Sequence, residues 1–426
     1  MSGEDQSVFE ASLAELDPEV DELIRSETER QRKTLDLVAS ESVPPRAVME
    51  AQGSVLTAKY ADGYPGERDY DTCEWVDEIE LLAISRAKAL FCADHANVQP
   101  YSGSSANMSV LHALCDPGDP VLGWDFEHGG HPTHYFSGTF AGRFYDAAAY
   151  GVRREDRIVD MDQVEALAKA HRPKVIFAGW SCYPRFLDFR AFRDIADEVG
   201  AFLVVDMAHF AGIVAAGLHP DPVPYAHACT MTVHKTLGGA RGGAILCTEE
   251  LAERVDAAVY PGEQGCPLPH VIAAKATTFA IAATDGFRER IERTLAGARV
   301  MAETLSEAAE ATGASVVTGG TDVHQLLCDV SAGGRDSRAV LSTLNSLSIS
   351  ANAIRLAFDA AGEKGMSGLR LGAAMLAARG LREPDFAEVG SILVDALAAG
   401  DGIPPAVLGA RVQALLERFP LYRFLA

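Results

Sequence analysis

The sequence predicts an α/β fold: a mostly parallel sheet covered by helices, followed by a smaller α+β unit. Three observations carry this. Short apolar runs (VLGW at 121, VIFAGW at 175, FLVVDM at 202, CTMTVH at 229, GAILC at 243) alternate with helical patterns. Strands joined by crossover helices lie parallel and are buried on both faces. Beyond residue 285 the order changes to a long helical pattern (FRERIERTLAGARVMAETLSEAAEAT), then ASVVTG, HQLLCDVS and LRLGAA between further helices. The 426 residues, 48% hydrophobic and 23% charged, are enough chain for more than one core.

Taken in order, Asp17 to about Leu37 is rich in Glu and Arg with a proline near its start, which predicts an N-terminal helix with a thin apolar stripe suited to a partner subunit. Glu74 to Phe91 repeats apolar residues at spacings of three and four and predicts a second helix. We divide the chain into an arm (1–36), a large unit (37–284) and a small C-terminal unit (285–426).

A formal net charge of -23 disfavours nucleic acid or an anionic membrane surface as a partner, so an anionic ligand needs a local site. The eight cysteines form no CxxC pair, which points to neither a disulfide scaffold nor a metal site and favours a reducing, cytoplasmic setting. Neither an export signal nor a membrane span is expected. In YPGERDYDTCEW, residues 64–75, a Pro-Gly turn opens a loop with Glu67, Asp69, Asp71 and Glu74, which by itself reads as a solvated acidic loop.

Four segments carry chemistry together. YSGSSANM places Ser102, Gly103, Ser104 and Ser105 before a helical run, either an ordinary N-cap or a cradle for a phosphate. VVDMAH ends an apolar strand on Asp206, with His209 three residues on; the acid either caps a helix or meets a cation such as a protonated pyridine nitrogen. TVHKTLGGARGG sets Lys235 after another apolar strand, with Arg241 in the glycine-rich turn; the lysine either reaches solvent or binds a cofactor aldehyde. SGLRLG carries Arg370 in an apolar strand, either in an internal ion pair or as a fork for a carboxylate. Phosphate cradle, acid, lysine and fork together fit a pyridoxal 5'-phosphate enzyme acting on an amino acid.

The stretches LVASESVPPRAVMEAQGSVLTAKYADGYPG, ANVQPYSGSSANM, DMAHFAGIVAAGLHPDPVPYAH and HKTLGGARGG closely resemble serine hydroxymethyltransferase, from about residue 17 to the C-terminus. The resemblance implies a fold-type I pyridoxal phosphate enzyme, a homodimer whose active sites are built from both subunits. It makes Lys235 the lysine that carries the cofactor, Asp206 the partner of the ring nitrogen and His131 the residue stacked on the ring. It assigns Ser102, Gly103, Ser104 and His234 to the phosphate, with Gln264 and Gly265 approaching from the other subunit, and places Ser181 and His209 near the phenolic oxygen. Ser40, Arg241 and Arg370 match groups on the amino acid side, with Tyr60 reaching across the dimer. Asp62 stands where the family has an acid/base glutamate, and Tyr70 retains a catalytic tyrosine.

The chain departs from the family where folate would lie. Ordinary members read close to YPGKRYYGGCE and ITVNKN, whereas this chain has YPGERDYDTCE and ISANAI, so that Asp69 replaces a stacking tyrosine and Ala353 and Ile354 replace folate contacts. Phe126 and Pro132 replace leucines flanking HGGH, and Glu263 and Cys266 alter the loop around Gln264. These changes give the expectation of a folate-independent transaldolase that moves the glycyl unit of threonine to an acceptor aldehyde, with Asp69 on the wall of the second-substrate pocket. The alternatives are a folate-dependent serine hydroxymethyltransferase with a divergent pocket, and a noncatalytic scaffold, which the retained Lys235, Asp206, His131 and Arg370 argue against.

Overall fold

The computed structural model describes residues 8–359, 365–398 and 403–425. Its larger sheet has seven strands: β1 (His95–Asn97), β2 (Pro120–Trp124), β3 (Asp146–Tyr150), β4 (Val175–Gly179), β5 (Phe202–Asp206), β6 (Ala228–Thr232) and β7 (Gly243–Cys247). The spatial order is β1-β7-β6-β5-β4-β2-β3. From β3 to β6 every neighbouring pair is parallel, and β7 runs antiparallel to both β6 and β1. The five apolar runs become β2 and β4 to β7, as expected.

Alternation along the strands explains why both faces are covered. Leu203 and Val205 enter one apolar cluster with Ile176, Cys229 and Leu246, while Val204 enters another with Val175, Phe177 and Ile245. A strand with period-two side chains and no polar face needs helices on both sides. Two strands escape the sequence reading. β3 is DAAAY, whose alanines favour helix in isolation, and β1 has only three residues.

The smaller sheet is antiparallel, with β8 (Ser315–Val316), β9 (Gln325–Asp329), β10 (Asn352–Ile354) and β11 (Gly368–Gly372) in the order β8-β9-β11-β10. ASVVTG yields only two strand residues, because Thr318 turns left-handed at φ 61°. The ISANAI segment supplies β10, a strand the sequence did not announce.

Two helical expectations differ in outcome. The second helix, α2 (Glu74–Phe91), has the expected bounds. The first, α1 (Pro18–Arg32), is capped by Asp17, whose carboxylate accepts the Val20 N–H at 3.1 Å, but it stops short of Leu37. Leu35–Asp36 instead pairs parallel with Ile349–Ser350, and Leu35 and Leu37 are buried with the small sheet's core. Tertiary pairing overrides helix propensity there. Among the described residues no helix is long and apolar enough to cross a membrane.

Candidate active site

Register sets the C-terminal ends of β4 and β5 side by side, with Gly179 beside Asp206, and Asp206 lies beside Thr230, two residues before the end of β6. The segments leaving these ends carry Ser181, His209 and Lys235. In open parallel sheets, ligands lie in this crevice.

Opposite stands the N-terminus of α3 (Gly103–Leu114), capped by Ser102. Ser102 Oγ accepts the Ser105 N–H at 3.0 Å, and Ser105 Oγ accepts the Ser102 N–H at 2.8 Å. A Cβ at position 103 would meet Thr232 Cγ2 at 2.7 Å, so glycine is required for the helix to start this close to β6. Ser102, Gly103 and Ser104 line a cavity of about 190 Å³ together with Asp206, His234 and Lys235. Backbone N–H groups and the helix dipole suit an anion there.

Asp206 is buried. Its Oδ2 accepts Asn107 Nδ2–H at 2.8 Å and lies 3.0 Å from His134 Nε2, and its Oδ1 accepts the Ala208 N–H at 3.0 Å. Burial alone would raise its pKa, but the hydrogen bond and charge of His134, with help from His131 and Asn107, hold it well below the ordinary carboxylate range. His131 Nδ1 lies 2.6 Å from Thr133 Oγ1, and burial pushes its ring down to about 4. Burial likewise pulls His209 well below the ordinary histidine value and His234 down to about 3. His209 stacks on Trp180 and approaches His324 at 3.4 Å between ring nitrogens.

Burial lowers Lys235 to about 8; Asp206 opposes the shift, and Arg370 and Arg241 add to it. An amine in this range is available in its neutral, nucleophilic form near neutral pH. The first cavity opens into a larger one of about 790 Å³, which shares His131, Ser181, His209, His234, Lys235 and Arg241 with it and adds Ser40 and Arg370. Its outer part is lined by Phe126, Pro132, Ala353 and Ile354, so these four of the expected departures face this space, whereas Asp69, Glu263 and Cys266 do not line it.

Six expected residues stand elsewhere. Tyr60, Asp62, Asp69, Tyr70, Gln264 and Gly265 line neither cavity of this chain. They gather in a second cluster, where Tyr60 and Tyr70 meet edge to face at 5.5 Å. Asp69 does not wall the cavity of its own chain: its Oδ2 accepts the Tyr260 hydroxyl at 2.6 Å. A Cβ on Gly265 would have Asp62 Oδ1 as its nearest neighbour, at 3.9 Å. Gln264 uses its amide within the chain, accepting the Tyr101 N–H and donating to Gln99 O. Beneath the cluster, Arg68 donates to Ala61 O and Gly63 O and pairs with Asp77 and Glu80.

The chain matches the family model described as serine hydroxymethyltransferase over residues 13–393. Proteins named serine hydroxymethyltransferase match it along nearly their whole length. That of Nocardia farcinica is 53% identical over 418 residues, covering 98% of this chain and 96% of its own. That of Leifsonia xyli subsp. xyli is 54% identical over 422 residues, covering 99% and 98%. That of Corynebacterium efficiens is 54% identical over 411 residues, covering 96% and 95%.

The chain belongs to the serine hydroxymethyltransferase family. It is a fold-type I enzyme that depends on pyridoxal 5'-phosphate, in a family whose substrates are amino acids. The site fits that cofactor. Asp206 presents a carboxylate kept anionic in a buried setting, the side-chain amine of Lys235 has no hydrogen-bond or ion-pair partner among the described residues, and the start of α3 is shaped for an anion.

Membership of this serine hydroxymethyltransferase family also corrects the transaldolase expectation. Identity of 53–54% along the whole chain to proteins that carry the hydroxymethyltransferase name favours that activity over a specialised aldol transfer. Substitutions at a few wall positions weigh less than the shared remainder of the chain, because one fold and one set of reactive groups can tolerate a changed wall. Asp69, the residue on which the expectation leaned most, is tied to Tyr260. Sequence reasoning also passed over His134, Asn107 and Asn352. Asn107 and Asn352 lie inside YSGSSANM and ISANAI, and His134 lies three residues beyond HGGH, so the available signal is a polar residue within or just past each motif.

Proposed function

We propose that this protein interconverts serine and glycine, exchanging the hydroxymethyl carbon with tetrahydrofolate. The observation that carries the reading is a pair of adjoining cavities that share Lys235, one lined by Asp206 and the other by Arg370, within a chain 53% identical over 98% of its length to a protein of that name. When bound, pyridoxal phosphate supplies an electron sink for the bond being broken. Lys235 anchors it. Asp206 keeps a proton at the ring nitrogen, and its depressed pKa keeps it a carboxylate while doing so. Ser102, Gly103, Ser104 and His234 would hold the phosphate, and His131, Ser181 and His209 would hold the rest of the cofactor.

Arg370 and Ser40 clamp the substrate carboxylate, with Arg241 adding positive charge to this part of the cavity. Clamping that group would orient the α carbon and so select the bond to be broken, and orientation of this kind supplies much of the rate. The neutral ring of His209 adds no positive charge beside Lys235.

The second cluster supports a homodimer with shared sites. Tyr60 is 60% exposed and Trp75 74%, with Val55 and Tyr70 also exposed nearby, an apolar surface that a second copy would cover. In that arrangement Tyr60, Asp62, Tyr70, Gln264 and Gly265 of each copy complete the other's cavity, and Asp62 takes the proton of the substrate hydroxyl.

The test is turnover of the pure protein loaded with cofactor. Serine should yield glycine only when tetrahydrofolate is supplied. Release of acetaldehyde from threonine without folate, faster than serine turnover with it, would overturn the reading.

A further inference from the structure

One contact at the amino acid end of the cavity is used by none of the roles above. β10 and β11 are antiparallel, and their register sets Asn352 directly opposite Arg370. Asn352 Oδ1 accepts Arg370 Nη2–H at 2.8 Å and Nε–H at 3.2 Å. On the other side, Arg370 Nη1 donates to Ser181 O at 3.1 Å and approaches Cys182 Sγ at 3.4 Å. Each of these hydrogen-bond partners is uncharged, and Arg370 has no ion pair among the described residues.

We propose that Asn352 is the positioning residue of the carboxylate fork. The inference rests on the reading of Arg370 as the group that holds the substrate carboxylate. A guanidinium offers five N–H donors in one plane. Asn352 occupies the edge made by Nε and Nη2, and Ser181 O takes one donor of Nη1. The edge left for a ligand is made by the second Nη2–H and the Nη1–H that faces only the weak acceptor Cys182 Sγ. Two parallel bonds from one edge are the geometry of a bidentate carboxylate.

The chemistry of the partner matters as much as its place. An amide oxygen takes two N–H groups and locks the plane while leaving the full positive charge for the substrate. A carboxylate at the same position would lock the plane equally well and cancel that charge. Asn352 therefore sets both the direction and the strength of the fork. Because Ala353 and Ile354 follow it on the same strand and line the outer cavity, the strand that aims the fork also shapes the space for the second substrate.

Asn352→Asp is the discriminating variant, read beside Asn352→Ala and Arg370→Ala in the holoenzyme. Glycine affinity is measured from the change in cofactor absorbance, alongside serine kinetics, cofactor affinity and melting temperature. Asn352→Asp should weaken glycine binding and raise the serine KM by about 10- to 100-fold. The loss should fall on KM rather than kcat, with cofactor affinity and melting temperature kept. Ethanolamine, an amine without a carboxylate, should bind this variant as it binds the wild type. Asn352→Ala should show a smaller loss of the same kind, and it carries the test if the aspartate variant does not fold.

A merely structural asparagine predicts the reverse: an intact glycine affinity in Asn352→Asp, with any cost appearing in melting temperature. That result, with glycine binding lost in Arg370→Ala, would overturn the role of Asn352 alone. Wild-type glycine affinity in Arg370→Ala would overturn the reading of the fork itself.

Discussion

The hydroxyl of Tyr260 donates to Asp69 Oδ2 at 2.6 Å, joining the acidic loop to the segment that carries Gln264. The hydrogen bond to Asp69 is the main reason that the Tyr260 phenol is pushed up to about 12. Asp69 is therefore held by a partner within its own chain. The resemblance sets a stacking tyrosine at this position, and if two copies share their sites as proposed, a flat ring would restore stacking area at the edge. Asp69→Tyr should lower the KM for tetrahydrofolate by about 2- to 10-fold, the worth of one aromatic contact, with serine KM unchanged. Steady-state kinetics with each substrate varied in turn checks this.

Lys235 sets a pH dependence for assembly of the enzyme. Burial brings its amine to about 8, so the neutral form dominates above that pH and the ammonium below it. Only the neutral amine attacks an aldehyde. The rate at which the apoprotein captures pyridoxal phosphate should rise about tenfold per pH unit below 8 and level off above it. Stopped-flow absorbance follows the capture. A Lys235→Ala protein should lose the covalent attachment at every pH, and turnover should fall by about 10²- to 10⁴-fold.

Asp206→Asn tests charge against shape at the ring nitrogen. The amide keeps nearly the same volume, but it cannot hold a proton at the ring nitrogen or offer His134 and Asn107 the same charged acceptor. Loss of one charge-assisted hydrogen bond should weaken cofactor affinity by about 10- to 100-fold. Equilibrium dialysis of the cofactor measures it, and turnover should fall further than affinity does.

The parts of the molecule legible in the sequence are those whose signal is local. Apolar runs gave β2 and β4 to β7, and the three- and four-residue spacing gave α2 to the residue. Asp206, Lys235 and Arg370 stand out because ionisable groups within or just after apolar strands are costly without a purpose. What escaped depends on distant partners. β3 is a strand because β2 lies beside it, and α1 ends early because Ile349–Ser350 pairs with Leu35–Asp36. Asp69 could not be read without Tyr260, which lies 191 residues away, nor Asn352 without its place opposite Arg370. The separation of Tyr60, Asp62 and Tyr70 from the cavity of their own chain is likewise a property of the fold, although the resemblance had already placed Tyr60 on the opposite subunit.

Arg68 is the support beneath the second cluster. Its side chain is 3% exposed and that of Glu80 1%, and the two lie 2.7 Å apart. Arg68 also donates to Ala61 O and Gly63 O, on either side of Asp62. Removing one member of a buried pair leaves the other charge uncompensated, at a cost of about 3–5 kcal/mol. Arg68→Ala should show a loss of this size in urea unfolding, and Asp62 should lose its fixed place. Replacing Arg68 and Glu80 together by apolar residues should cost less than either single change.

Glu263 predicts how stability changes with pH. Its carboxylate accepts Ser109 Oγ–H on α3 at 3.2 Å and stands 3.8 Å from His112 Nδ1. Burial pushes it up to about 7 from an ordinary value near 4.5, and the Ser109 bond offsets only part of that. The sign follows from linkage. Below 4.5 the acid is neutral in both folded and unfolded chains; between 4.5 and 7 the unfolded chain releases its proton while the folded chain keeps it. Folding stability is therefore lost as pH rises through that window and stays lower above it. Glu263→Gln, neutral at every pH, should match the wild type below about pH 4.5 and exceed it by about 1–3 kcal/mol at pH 8. Urea unfolding of both proteins at the two pH values checks it, and a wild type at least as stable as the variant at pH 8 would show that the carboxylate is not confined as the geometry requires.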